Sequence, residues 1–311
     1  MQELAAVEKV WIKCPICGND DMEKLFSRDD YQHVRCRKCT LVYVNPRHSD
    51  PGRMNAALFG QIRPSWTIAD NRVHTMDLAS LQTHADRLRN FPAKKYAQEL
   101  KYMETYRKSG RLLDVGCGDG KFLLAASGRA WNVSGVEIAP EQAALCRERF
   151  GLDVRCGTLD EAGFESGAFD VVRLNQVIEH VAEPLNLLRE IGRALRPGGL
   201  LSLSTINIKS FSYFFQRERW VHLGGPSNEH IVFFSRQTLD RALTATGFKS
   251  LRWNTSGCRL RSRATLEKNF WDRSIRIPEK FLGAFAELTG RGGRIHVYAQ
   301  VLPAPAGKYL E

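Results

Sequence analysis

The segment Leu112-Leu113-Asp114-Val115-Gly116-Cys117-Gly118-Asp119-Gly120 constrains this chain more than any other. It predicts a buried strand that ends in an acidic residue and a glycine turn, then passes into a helix. Glycines at 116, 118 and 120 let the backbone turn sharply and let a ligand approach it closely. The spacing is not the dinucleotide pattern Gly-x-Gly-x-x-Gly, and the Lys-Ser/Thr ending of a phosphate loop is missing. A glycine turn without a ligand is the plain alternative. Strand and helix patterns alternate from here on. Strands are predicted at 111–115, 131–137, 153–156, 169–175 and 200–205, and helices at 120–127, 140–150, 184–195 and 236–246. Pro140 and Pro184 suit helix starts, where a missing N–H costs nothing. Two late strands are expected near 248–254 and 294–302. This alternation predicts an α/β fold with a parallel, doubly wound sheet.

The N-terminal part carries different information. Cys14-Pro15-Ile16-Cys17 and Cys36-Arg37-Lys38-Cys39 are two Cys-x-x-Cys pairs separated by 18 residues. Each pair can offer two thiolates from one tight turn, and the segment between them is long enough for a returning hairpin. Four thiolates close a tetrahedral shell, so Cys14, Cys17, Cys36 and Cys39 are the expected ligands of a structural Zn2+. A module of this size, about 10–44, buries little core, and the metal is expected to contribute most of its stability. His33 is expected on a turn or at the surface.

Composition narrows the function classes. No apolar run approaches the ~20 residues needed to span a bilayer. The first ten residues carry Glu3 and Glu8 and no apolar stretch, so no signal peptide is expected and a cytoplasmic location is. Reduced cysteines and metal binding follow from that setting. The net charge of +11 is uneven: residues 206–311 hold 17 Lys+Arg against 8 Asp+Glu, while residues 111–205 hold 10 against 13. Such a field favours an anionic partner, with solvated surface arginines as the alternative.

Several motifs then resemble those of class I S-adenosylmethionine (SAM) methyltransferases, in the expected order over roughly 111–205. The first is Asp114-x-Gly116-x-Gly118-x-Gly120. The second is Val133-Ser134-Gly135-Val136-Glu137-Ile138, with Glu137 placed 23 residues after Asp114. Phe169-Asp170-Val171-Val172 and Glu179-His180-Val181 are similar to the ubiquinone and menaquinone type members, and Leu195-Arg196-Pro197-Gly198-Gly199 matches the turn before their fifth strand. The resemblance implies a Rossmann-like seven-stranded sheet whose last strand is antiparallel and inserted at an edge, with a helical cover. It implies SAM as cofactor, contacted by Asp114, Gly116, Cys117, Gly118 and Gly120. Glu137 and Ile138 would lie at the ribose, Thr158, Leu159 and Asp160 near the adenine, and Asn175 and Gln176 beside the sulfonium. The family often has Gly-Asp where this chain has Gly157-Thr158, so the adenine contact departs from the pattern. The implied organisation is a zinc ribbon at 1–46, a helical cover and linker at 47–108, and a methyltransferase domain at 109–311.

Within that domain, residues 206–235 are expected to build the acceptor site. They hold Phe211, Tyr213, Phe214, Phe215, Trp220, Phe233 and Phe234, and two histidines, His222 and His230. The segment from Asn228 to Ser235 resembles the His-Leu-x-x-Phe-Ser motif of zinc-ribbon-bearing members. His230 or His222 is a candidate base for methyl transfer to a hydroxyl. A lid-pinning role for His230 is the alternative, and His180 is expected to be structural. The run Arg259-Leu260-Arg261-Ser262-Arg263 would suit a phosphate-bearing or carrier-linked acceptor, with an exposed basic loop as the alternative. The expected activity is methyl transfer to a small molecule such as a sugar-like, phosphorylated or secondary-metabolite hydroxyl. RNA methylation through a basic ribbon is the second expectation, and a non-catalytic binding module the third.

Overall fold

The computed structural model describes residues 9–28, 31–48, 96–220, 222–223, 230–257 and 279–302. Its centre is a seven-stranded sheet with strand order β12-β13-β10-β9-β6-β7-β8. The parallel strands are β6 (Gly110–Val115), β7 (Trp131–Glu137), β8 (Asp153–Cys156), β9 (Phe169–Asn175) and β10 (Leu195–Ile206). The last strand, β13 (Arg294–Val301), runs antiparallel to both β10 and β12 (Phe248–Ser256). It is therefore inserted between two strands, and β12 takes the edge that the sequence assigned to β13.

Local sequence explains the helices. Helix α1 (Ala97–Tyr106) precedes β6, and α2 (Lys121–Ser127) follows the glycine turn. Helix α3 (Pro140–Phe150) opens on proline and closes on Gly151, whose φ of 64° frees its N–H to bond Arg147. Helix α4 (Pro184–Ala194) buries Leu188, Ile191 and Ala194 along one stripe. The 196–199 turn does not end in a separate strand: β10 already starts at Leu195 and absorbs the turn as a register shift before Leu200. Short α5 (Phe211–Gln216) follows β10. Helix α6 (Arg236–Ala245) carries a capping box in which Ser235 and Thr238 bond each other's backbone N–H. Helix α7 (Glu279–Leu288) packs beside β12.

The N-terminal cysteines belong to a second sheet of order β11-β4-β3-β2, from β2 (Met22–Arg28), β3 (Tyr31–Cys36), β4 (Val42–Val44) and β11 (Val232–Phe233). The chain thus returns almost two hundred residues later to add a strand to the ribbon. Val232 pairs with Tyr43 and Phe233 with Val42. One continuous core runs from Cys14, Val34 and Tyr43 through Phe233 and Phe234 to Leu174 and Leu203. A second short ladder joins β1 (Lys9–Val10) to β5 (Arg47–His48). His33 is not at the surface: it is buried, with its ring stacked on Phe26 at 4.5 Å and near Phe233 at 5.5 Å. His33 and its neighbour Val34 are both buried, so β3 is covered on both faces at this point, with Phe26 and Phe233 packed on the His33 ring. Of the helical cover, residues 49–95 lie outside the described residues.

Candidate active site

Parallel strands bring their carboxyl ends to one edge of the sheet, and the sequence-selected residues of the doubly wound part gather there. Asp114 stands at the end of β6, Glu137 at the end of β7, and Asn175 and Gln176 at the end of β9. The glycine turn between β6 and α2 is enforced by its neighbours. Gly116 has φ 72°, and a Cβ there would fall 2.5 Å from Val177 Cγ2. Gly120 has φ 75°, with Cys146 Sγ and Leu152 Cδ1 each 2.9 Å from where a Cβ would be. Cys117 is buried inside the turn, and Gly118 is half-buried.

Glu137 is buried and closes this loop from below. Its carboxylate accepts from Gly118 N at 2.7 Å and from Ala139 N at 3.0 Å. Burial raises its pKa, against the pull of those amides. A carboxylate has about four lone-pair directions, so acceptor capacity remains for a ligand. Ile138 beside it is half-buried. Past β8, Leu159 is buried in the core while Thr158 and Asp160 are exposed. The Thr158 hydroxyl and amide both donate to Glu161, at 2.9 and 2.8 Å.

At the end of β9, Asn175 Oδ1 accepts from Ser204 Oγ at 2.5 Å. Gln176 adopts φ 56°, and its Nε2 is buried with no hydrogen-bond partner among the described residues. A buried donor of this kind fits a site built for a polar ligand. Glu179 is fully buried: Oε2 accepts from Thr205 Oγ1 at 2.9 Å, and Oε1 has no partner among the described residues. Burial pushes its carboxyl up to about 7.

The histidines converge on this place. His180 closes a 3-10 turn (Ile178–His180), and its ring lies 4.7 Å from that of His230. His222 lies 5.5 Å on the other side. His230 Nδ1 is 3.1 Å from the His222 carbonyl, which can only accept, so Nδ1 carries the proton and Nε2 is the basic nitrogen. Burial, with the His180 and His222 rings next, lowers the His230 pKa well below the usual imidazole value. The backbone beside it is pinned from two sides. Ile231 N donates to Glu179 O at 2.9 Å, and Ile231 O accepts from Val44 N of the ribbon at 2.9 Å.

The aromatics of 206–235 divide rather than form one pocket lining. Trp220, Phe233 and Phe234 are core residues, whereas Phe214 and Phe215 are 48% and 61% exposed. Asn228, Glu229 and the arginines at 259, 261 and 263 lie outside the described residues.

The four ribbon cysteines meet as their spacing requires. Cys14 and Cys39 sulfurs are 3.4 Å apart, Cys17 and Cys36 sulfurs 3.5 Å, and all four lie within 4.8 Å of one another. A tetrahedral Zn–S shell of about 2.3 Å bonds has edges of about 3.8 Å. The thiol set can therefore close on one metal with small movements. Cys39 N and Asn19 Nδ2 both point at Cys36 Sγ, at 3.5 and 3.8 Å.

Sequence reasoning missed Arg173. It is a buried cation between Val172 and Leu174 of β9, bonded to Asp114 at 3.0 Å and to Glu99 of α1 at 2.8 Å. A lone arginine within Phe-Asp-Val-Val-Arg-Leu-Asn, one strand from Asp114, was the available signal.

Comparisons with known proteins agree with this fold. A family model described as a methyltransferase domain matches residues 85–252, more than half of the chain. A ubiquinone biosynthesis O-methyltransferase of Methylocella silvestris is 29% identical over 220 residues, covering 65% of this chain and 83% of that protein. The protein of the same name from Cereibacter sphaeroides is 35% identical over 127 residues, and that match spans about half of its length (51%) and 39% of this chain. Among solved structures, a chain in the complex of the Haloferax volcanii Trm112 methyltransferase activator with a methyltransferase superposes with a TM-score of 0.50. It is 17% identical and the match covers 73% of this chain and 98% of that one, a likeness of fold. No helix among the described residues is long and apolar enough to cross a membrane. With its glycine loop, strand-end acid and doubly wound sheet, the chain belongs to the methyltransferase domain family, as a class I SAM-dependent enzyme.

Proposed function

We propose that this enzyme transfers the methyl group of SAM to a hydroxyl oxygen of a small molecule of the quinone-precursor class, with His230 as general base. The observation that carries this reading is the placement of His230 at the carboxyl edge of the sheet, its ring 4.7 Å from that of His180, with Nε2 as its basic nitrogen. The relatives named above are O-methyltransferases of ubiquinone biosynthesis, which favours such a hydroxyl over RNA and over a sugar-like or phosphorylated acceptor.

The loop residues Asp114, Gly116, Cys117, Gly118 and Gly120 would hold the amino-acid part of the cofactor. Glu137 would accept from the ribose hydroxyls, with Ile138 beside it. Leu159 would pack on the adenine, with Thr158 and Asp160 at its exposed rim, and Asn175 and Gln176 would face the reacting centre. When bound, SAM supplies a methyl group on a positively charged sulfur. The chain's own work is orientation and proton removal. His230 Nε2 would take the proton of the acceptor hydroxyl, whose oxygen would receive the methyl group. His222 serves through its carbonyl, which fixes the His230 tautomer. Cys14, Cys17, Cys36 and Cys39 would hold Zn2+ in a closed shell with no open position, a structural role.

The test is a His230→Ala variant assayed with SAM and a catechol-type quinone precursor. Turnover should fall about a hundredfold to ten-thousandfold while SAM affinity is retained. Unchanged turnover would remove His230 as the base.

A further inference from the structure

Arg173 and Glu99 form a buried charge network directly behind the glycine loop. Arg173 lies in register with Asp114 on the neighbouring strand. Its Nη1 reaches both Asp114 oxygens, at 3.0 and 3.2 Å. Its Nε and Nη2 reach the two Glu99 oxygens, at 2.8 and 3.4 Å. Glu99 also accepts from Ser202 Oγ at 3.2 Å, and that hydroxyl lies 2.9 Å from His296 Nε2. The Phe122 ring sits 4.0 Å from the guanidinium carbon and shuts out water. Burial opposes the charge on Glu99, yet Arg173 lowers its pKa below the usual value. Burial also lowers the pKa of His296, which keeps that ring neutral.

Two carboxylates therefore share one cation, Asp114 fully buried and Glu99 mostly so. Burial pushes the Asp114 carboxyl up to about 7, against the pull of Arg173, so it is ionised above that pH. There an arginine paired with Asp114 alone would form a neutral pair, and with Glu99 added one negative charge is left over. SAM carries a sulfonium and an ammonium against one carboxylate, a net positive charge. Its product, S-adenosylhomocysteine, has lost the sulfonium and is neutral overall.

We propose that Glu99, acting through Arg173, is a specificity-determining residue: the charge it leaves at the glycine loop favours the cationic cofactor over its neutral product. This rests on the SAM assignment above. Glu99 also anchors α1 to the sheet, so the test must separate charge from anchoring.

The test is calorimetric binding at pH 8, where Asp114 is ionised, of SAM, S-adenosylhomocysteine and sinefungin, which has a cationic amine in place of the sulfonium, to the full chain and two variants. Glu99→Gln keeps the shape and removes the charge. It should weaken SAM and sinefungin by about fivefold or more, as loss of one nearby charge in a partly screened interior implies, and leave the product within about twofold. Glu99→Asp keeps the charge and shortens the anchor, so it should preserve the ratio of SAM to product affinity even if both fall. It gives this reading should Glu99→Gln fail to fold. Equal weakening of all three ligands in Glu99→Gln, or a shifted ratio in Glu99→Asp, would overturn the proposal. Absence of binding of all three to the unmodified chain would overturn the SAM assignment itself, and the proposal with it.

Discussion

His230 and Glu179 sit side by side at the residue scale and respond to burial in opposite senses. Burial favours the neutral form of each, which lowers the histidine pKa and raises the carboxyl pKa. For His230 the consequence is kinetic. If His230 is the base, it stays unprotonated below the usual imidazole range, and the acid limb of kcat/KM should fall below pH 6.5. A pH–rate profile with a limb above 7 assigned to His230 would contradict the structure. For Glu179 the consequence is stability. Its folded pKa of about 7 exceeds the ordinary value of about 4.5, so its contribution is fully present below pH 4 and is lost as pH rises through 7. Glu179→Gln removes that loss. Urea denaturation should find the variant more stable than the parent at pH 8 by on the order of 3 kcal/mol, with a much smaller gain at pH 5. Equal differences at the two pH values would show that Glu179 does not titrate this way. Gly116→Ala tests the loop. With φ at 72° and Val177 only 2.5 Å from the new Cβ, SAM affinity should fall at least tenfold in a binding titration.

The ribbon's strands are the informative elements. Strand β4 starts three residues after Cys39, and β11 starts two residues after His230; the two pair directly. Arg47 adds a second tie, donating to the Ala182 carbonyl at 2.9 Å and pairing with Glu183 at 3.2 Å. Order in the cysteine turns therefore bears on the segment that holds His230. Metal analysis of purified protein should find about one zinc per chain. Stripping it with a strong chelator should speed amide exchange at residues 231–233 more than in β6 or β7. Exchange confined to residues 14–39 would show that the ribbon does not brace the site. The β6–β9 elements and α2, α3, α4 and α6 were legible to within a residue because of local punctuation such as Pro140, Pro184 and the glycine loop, whereas β10 runs through the 196–199 turn and starts five residues before the predicted 200. The last strand's slot and the β11–β4 pairing were not legible. Both are non-local pairings, and two residues such as Val232-Phe233 carry no period that a sequence could display.

At the scale of the whole molecule, the two sheets share one hydrophobic core, and the carboxyl edge of the larger one meets the added strand of the smaller one at His230. The places of the loop glycines, Glu137 and the four cysteines could be read in advance because local chemistry fixes their types: glycines for the turn, an acid at a strand end, thiols paired in two tight turns. Arg173, Glu99 and Glu179 could not, because their meaning lies in who faces them across strands. The same layout brings the His230 ring to 4.7 Å from that of His180, which closes the 3-10 turn that follows β9. The most direct test is to supply methyl-labelled SAM with a catechol-bearing quinone precursor and to follow the label in the parent chain. Label on the phenolic oxygen, with equimolar S-adenosylhomocysteine, is the result predicted here. Label on carbon, nitrogen or RNA, or none on any acceptor while SAM is bound, would contradict O-methyl transfer as the function of this site.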